Sequence, residues 1–248
     1  MRKRATRFAV AGSLLVLSMA LAGGDAGAQE SSSPFSAVGI AVKASFLGPG
    51  VEAATRITRR LNLRGGINGF SYDRTFNKDG IAYAGQLQFR SAEAHLDWFP
   101  FGKSFHLSPG ALIYNGNQIT ANASVGSGQS FTLNSTSYTS DPANPVVGTG
   151  KIAFNRSGPM FTMGFGNLVR RSHRFSVPFE IGAIYTGAPN MTLNLTGSAC
   201  NPNGENCSAI ATSPSIQANV QAEQNKINKD VSAFKFYPVI SIGFGVKL

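Results

Sequence analysis

His106 and Ser108 stand two residues apart in Phe105-His-Leu-Ser-Pro, so an extended backbone would put both side chains on one face. A serine hydroxyl beside an imidazole base is the core of an acyl-transfer site, which also needs an acidic group to orient the imidazole. The strand that follows, Ala111 to Ser124, holds no Asp or Glu. Glu93, His95 and Asp97 form a second one-face set, capable of acid–base chemistry or of an ion network. Cys200 and Cys207 bracket Asn-Pro-Asn-Gly-Glu-Asn. In an exported chain this spacing around a turn-rich segment predicts a local disulfide. A metal site would need more ligands, and the 3 His are scattered. The glycines fall on strands and turns, with no Gly-rich phosphate loop leading into a helix. Asn-x-Ser/Thr triplets such as Asn134-Ser135-Thr136 are expected by chance in so Asn-, Ser- and Thr-rich a chain. No catalytic residue, cofactor or metal is therefore assigned.

These side chains sit in a chain whose hydrophobic period is two. Phe236, Pro238, Ile240, Ile242, Phe244, Val246 and Leu248 alternate with small or polar residues up to the last position. The same alternation runs through Val38–Phe46, Val51–Ile57, Leu61–Ile67, Phe105–Ile113, Phe161–Phe165 and Phe175–Tyr185. Between Ile81 and Phe99 the apolar parity changes, which predicts a β-bulge at Arg90-Ser91; a similar slip is expected at Ser157-Gly158. Eight strands result, at about 37–46, 50–58, 61–73, 81–99, 104–124, 150–166, 174–195 and 234–248. Connections after the even strands are compact and those after strands three, five and seven are long. Such asymmetry characterises outer-membrane barrels, with both termini at the short-turn, periplasmic end. Strands longer than a tilted crossing needs would carry β-structure beyond the membrane. Trp98, Phe99, Phe101 and Phe105 fit an interfacial girdle. One helix is expected in the last long loop, with Ser213 as N-cap, Pro214 at N1, and Ile216, Val220, Ile227 and Val231 at helical spacing. It would lie over the mouth, enter the lumen, or stand as a solvated polar helix.

Composition agrees. Charged residues are 14% of the 248, against roughly 25% in soluble domains. No segment after the first 28 residues is long and apolar enough for a membrane helix. Arg2, Lys3, Arg4 and Arg7, an apolar stretch from Phe8 to Ala22, and Ala26-Gly27-Ala28 read as a signal peptide over 1–28, leaving a barrel domain at 29–248. That domain keeps 18 basic and 11 acidic side chains, a formal charge of +7. Exported and without a basic cluster interleaved with aromatics, it is not expected to bind nucleic acid.

The alternation assigns Glu52, Arg56, Arg64, Arg90, Glu93, His95, Asp97, Lys151 and Glu180 to a polar lumen network, with Lys43 and Lys247 on the same face. An eight-stranded barrel is just wide enough to be filled by side chains. Charges there must pair or be hydrated. The expectation is a closed ion network, with a narrow polar path for ions or small solutes as the alternative.

Five motifs carry a resemblance: Leu47-Gly-Pro-Gly-Val-Glu, Arg60-Leu-Asn-Leu-Arg-Gly-Gly, Leu96-Asp-Trp-Phe-Pro-Phe, Tyr114-Asn-Gly-Asn and Phe236-Tyr-Pro-Val-Ile-Ser-Ile-Gly. Through them the chain resembles a family of small, mostly uncharacterised outer-membrane β-barrel proteins of Gram-negative-type bacteria. More loosely, it is similar in layout to OmpW-like and OmpX-like barrels. The resemblance implies export and a barrel, not an activity, and a polar helix before the last strand. Outer-membrane barrels usually end in an aromatic residue, whereas this chain ends in Leu248, with Phe244 four residues earlier. The His106-x-Ser108 pair is also similar to that of outer-membrane lipid A deacylases, though it would sit at the periplasmic end and face the lumen.

The expected fold is thus all-β, an eight-stranded antiparallel up-and-down transmembrane barrel with one short helix in the last long loop. The expected function is an integral outer-membrane protein, not an enzyme, with a structural, surface-interaction or small-solute role. Its expected partners are outer-membrane lipid, lipopolysaccharide and the barrel assembly machinery, and it is expected to be a monomer. A soluble periplasmic lipocalin-like ligand carrier is the alternative, and a lipid A acyl hydrolase a remote one. Carrier and membrane barrel predict opposite directions for the Ile240/Ile242/Phe244 face.

Overall fold

The structure, a computed structural model, describes residues 34–78, 81–170 and 172–248; the signal peptide expected at 1–28 lies outside them. Among the described residues no helix is long and apolar enough to cross a membrane, which says nothing of crossing by strands.

Eight strands close into an antiparallel barrel: β1 (Val38–Ser45), β2 (Gly48–Thr58), β3 (Leu61–Lys78), β4 (Ile81–Trp98), β5 (Phe105–Asn115), β10 (Gly158–Phe165), β12 (Phe179–Tyr185) and β16 (Phe236–Lys247). Closure comes from β1 on β16, with registers from Gly39↔Lys247 to Ser45↔Ser241. The two-residue β11 (Phe175–Ser176) extends the β12 side of that seam. The alternation resolves into direction. Ile242 and Phe244 are 56% and 55% exposed on the outer wall, while Ser241 next to Ile242 and the charged Lys43, Glu52, Arg64, Glu93 and Asp97 of β1 to β4 are buried inside. An apolar exterior around a polar interior is the polarity of a barrel in lipid, opposite to that of a lipocalin.

Above the barrel the long strands form a second sheet. Beyond Asn68 the register of β3 with β2 ends and β3 continues with β4 alone, to Lys78↔Ile81. The upper half of β4 pairs with β6 (Gln118–Val125), β6 with β9 (Val147–Ala153), and β9 with β13 (Asn190–Thr196). The fifth, sixth and seventh expected strands therefore each break, their upper parts becoming β6, β9 and β13. Asparagines secure the first break. Asn117 Oδ1 accepts from the Arg90 amide (2.8 Å), Asn115 Oδ1 from the Asn117 amide (3.1 Å), and Asn115 Nδ2 donates to the Asn155 carbonyl (3.0 Å).

The parity change in β4 is not a bulge. The β3–β4 register runs without a shift from Leu61↔Trp98 to Lys78↔Ile81. What inverts is the surroundings. Ala92, Ala94, Leu96 and Trp98 face outward in the barrel, whereas Ile81, Tyr83, Leu87 and Phe89 lie on the opposite face of the same strand, where the upper sheet gathers its apolar residues. One row, Tyr72–Leu87–Ile119–Ile152–Met191, crosses all five upper strands. The actual register shift lies between β4 and β5 at Ala92/Glu93, where β5 skips Ile113.

A small cap completes this end. β7 (Ser130–Leu133), β8 (Thr136–Ser140), β14 (Ser198–Cys200) and β15 (Ser208–Ala209) form a four-stranded sheet. With α1 (Pro214–Val231) they enclose Val125, Leu133, Val146, Ala199, Ile210, Ile216 and Val220. The Cys200–Cys207 disulfide lies here, outside the barrel ladder. Ser213 is the N-cap of α1, followed by Pro214 as expected. The helix neither enters the lumen nor stands free. It covers the edge of β13, where Asn228 accepts from the Met191 amide (2.7 Å) and donates to its carbonyl (3.1 Å), and Gln224 accepts from the Leu193 amide (2.9 Å). These side chains satisfy backbone groups that an open edge would leave unpaired.

Candidate functional site

The chemistry-bearing residues converge in the barrel lumen. Inward positions of five strands supply Lys43 (β1), Glu52 (β2), Arg64 (β3), Glu93, His95 and Asp97 (β4) and Glu180 (β12), all buried. Glycines make the room. Lys43 lies opposite Gly50 and Gly243, Glu52 and Glu93 opposite Gly66, His95 opposite Gly110, and His106 and Glu180 opposite Gly164. Pairing long side chains with absent ones is how a narrow barrel fills its bore.

Arg64 is the centre. Its Nε and Nη2 donate to Asp97 Oδ2 and Oδ1 (2.9 and 3.0 Å). Nη1 donates to Glu52 Oε2 (3.0 Å) and Glu180 Oε2 (3.1 Å), and Nη2 also to Glu180 Oε1. One guanidinium thus joins carboxylates from three other strands, using the planar fork that an ammonium lacks. Lys43 Nζ lies 3.3 Å from Glu52 Oε2 and also donates to Glu93 Oε1. His95 approaches Glu93 Oε2 at 3.9 Å, too far for a hydrogen bond.

His106 and Ser108 belong to the same network, not to each other. Ser108 Oγ donates to Asp97 Oδ1 (2.7 Å), and His106 Nε2 meets Glu180 Oε1 (2.9 Å). Each has an acidic partner from another strand, which the local sequence could not reveal. The hydroxyl donates to the Asp97 carboxylate and not to the imidazole, and Ser108 is fully buried. The arrangement lacks the nucleophile–base contact that acyl transfer requires. Asp97, His106 and Glu180 lie close enough to share a metal ion, but the Arg64 guanidinium already bridges the two carboxylates.

Two expected lumen residues are elsewhere. Arg90 is exposed on the outer face of β4, with Ala92 and Leu96, because no bulge turns it inward. Lys151 is exposed on β9 of the upper sheet, where neighbouring Ile152 takes the covered face. Arg56 stands at the lower mouth and donates to the Val169 carbonyl. Phe99 does not join the girdle; it is 2% exposed, turned inward with its ring 5.4 Å from that of His106.

Both ends of the network are closed. On the cap side Leu47, Leu112, Met160, Ile184 and Val239 form an apolar layer. On the short-turn side the segment after β10 folds into the mouth, where Leu168 and Val169 pack on Ala41 and Ala54. Asn167 anchors it, accepting from Asn62 Nδ2 (3.1 Å) and from the Val169 amide (3.1 Å). The charges are thus sealed between two apolar layers.

No family model and no curated protein sequence matches the chain. Solved structures do. The crystal structure of Acinetobacter baumannii CarO matches with a TM-score of 0.52 at 22% identity, covering 86% of this chain and 97% of that one. That of Acinetobacter baumannii CarO2 matches with a TM-score of 0.53 at 20% identity, covering 86% and 98%. At this identity the likeness concerns the fold: a closed eight-stranded antiparallel barrel with one helix late in the chain, similar to the CarO barrels.

Proposed function

We propose that the chain is an exported outer-membrane barrel whose lumen is a structural lock and whose working part is the cap, held at the cell surface as an interaction platform. The observation that carries this reading is the sealed bore: six charged side chains buried between two apolar layers, beneath an outward-built sheet with its own core. Lipid and lipopolysaccharide around the belt, and the barrel assembly machinery during insertion, are the partners this reading requires. The protein acts as a monomer and as no hydrolase, since the Ser108 hydroxyl serves Asp97. The CarO-like fold and the apolar outer wall support the membrane location.

The test is cell fractionation with surface labelling. The protein should stay with the outer membrane until detergent is added. An epitope inserted at Asn203-Gly204, in an open cap turn, should be stained on intact cells, and one at Arg59-Arg60 only after permeabilisation. Release by osmotic shock alone, or the reverse staining, would reject the reading.

A further inference from the structure

The two ends of the barrel differ in charge. Around the short-turn mouth stand Arg59 and Arg60 in the β2–β3 turn, Lys103 after β4, Arg170 and Arg174 between β10 and β11, and Lys247 at the end of β16. Among the described residues of this end, 34–37, 56–62, 98–105, 165–177 and 245–248, no Asp or Glu occurs. The carboxylates nearest in sequence, Asp97 and Glu180, are buried and committed to Arg64. The cap end is mixed: Lys226, Lys229 and Lys235 share it with Asp141, Glu223 and Asp230. The asymmetry is therefore specific to one rim.

The rim is also built at a defined level. Directly beside it lie the exposed Phe101, Phe165, Phe175 and Phe244 with the half-buried Phe105: Phe101 and Phe105 have centroids 6.0 Å apart, Phe105 and Phe165 5.5 Å, Phe175 and Phe244 5.9 Å. Aromatic girdles mark the depth of lipid headgroups. Between the turns the cations line clefts. Arg56, Arg59 and Arg170 face one of about 400 Å³, and Arg174 and Lys247 another of about 330 Å³. Arginines at headgroup depth around a cleft with no carboxylate among its described lining residues suit a phosphodiester.

Resting on the membrane reading above, we propose that the short-turn rim selects anionic glycerophospholipids of the periplasmic leaflet, binding their headgroup phosphates through Arg59, Arg60, Lys103 and Arg170. The electrostatic attraction of juxtamembrane cations to an anionic leaflet, and its screening by salt, follow general membrane electrostatics.

The chain carries its own reporter. Trp98 is the single tryptophan, 47% exposed on the outer wall, and its neighbour Phe99 is bonded through its amide to the Arg60 carbonyl (2.9 Å). The full-length mature protein is reconstituted in phosphatidylcholine vesicles containing phosphatidylglycerol, with bromine on the acyl chains of one lipid or the other. Brominated phosphatidylglycerol should quench Trp98 severalfold more than its bulk fraction predicts. The excess should fall in high salt and be lost in an Arg59→Gln/Arg60→Gln/Lys103→Gln variant, while Arg90→Gln, on the outer wall beyond the belt, retains it. Quenching in proportion to bulk composition in wild type, or an excess indifferent to salt and to the triple variant, would overturn the proposal. Absence of quenching by either lipid would instead overturn the membrane reading itself. Should the triple variant not insert, the salt series on wild type decides alone.

Discussion

Arg64 shows what a single side chain does when water is excluded. It answers Glu52, Asp97 and Glu180, so its loss leaves carboxylates buried without their main counter-charge. Arg64→Met should destabilise the barrel by about 3–5 kcal/mol, the usual cost of breaking a buried ion pair. Arg64→Lys should recover only part of this, because one ammonium cannot reproduce the two-pronged contacts with Asp97; urea titration of the vesicle-folded proteins reads both. On the outer wall the penalty has another origin. Ile242→Arg should cost about 2–4 kcal/mol if it lies near the bilayer midplane. Ser241→Arg, one residue away but inward, should instead crowd the network beside Glu180, its neighbour across β12. Equal folding of Ile242→Arg and wild type into vesicles would sink the face assignment. Parity alone placed Lys43, Glu52, Arg64, Glu93, His95, Asp97 and Glu180 in the lumen. It misplaced Arg90 and Lys151, since counting apolar positions assumes one environment along a strand. The acidic partners of His106 and Ser108 lie 74 and 11 positions away, a separation no local pattern expresses.

At the level of elements, β3 and β4 form one continuous hairpin whose two faces exchange roles partway up. The ladder itself was legible, as were the helix start at Ser213-Pro214 and the turns at Arg59-Arg60 and Phe101-Gly102. The splitting of three long strands was not, because alternation continues across Asn115-Gly116-Asn117 while the hydrogen-bonding partner changes from β5 to β6 on β4. Nor does the polar composition of α1 tell that its amide side chains would seal a strand edge. That role is testable. Asn228→Leu removes a donor and an acceptor from Met191 and should loosen the cap by about 1–3 kcal/mol, the cost of leaving buried groups unsatisfied. Hydrogen exchange should then rise in β13 and α1 and stay unchanged in β1 and β16. Uniform protection throughout would mean that the helix is not what holds that edge.

For the whole molecule the question is passage. Apolar layers above and below, with an ion network between them, fill the bore. In planar bilayers the purified protein should show no large, steady conductance, whereas general porins use 16–18 strands to keep an open channel. Any small, intermittent current should change in Arg64→Gln and not in Arg90→Gln, whose guanidinium lies outside the wall. A porin-sized opening would refute the filled bore. The network also bears on how the molecule comes together. Its members are drawn from β1, β2, β3, β4, β5 and β12, the last separated from Arg64 by 116 positions. A partly assembled sheet, with β12 not yet docked, would present the arginine and its carboxylates to hydrocarbon. Each such charge at the bilayer centre is costly, so half-closed intermediates are penalised and the curl of the sheet into a cylinder becomes an all-or-none event. On the proposed membrane reading, the network that fills the finished bore therefore acts earlier as a checkpoint, rewarding only those insertion attempts in which β12 has docked.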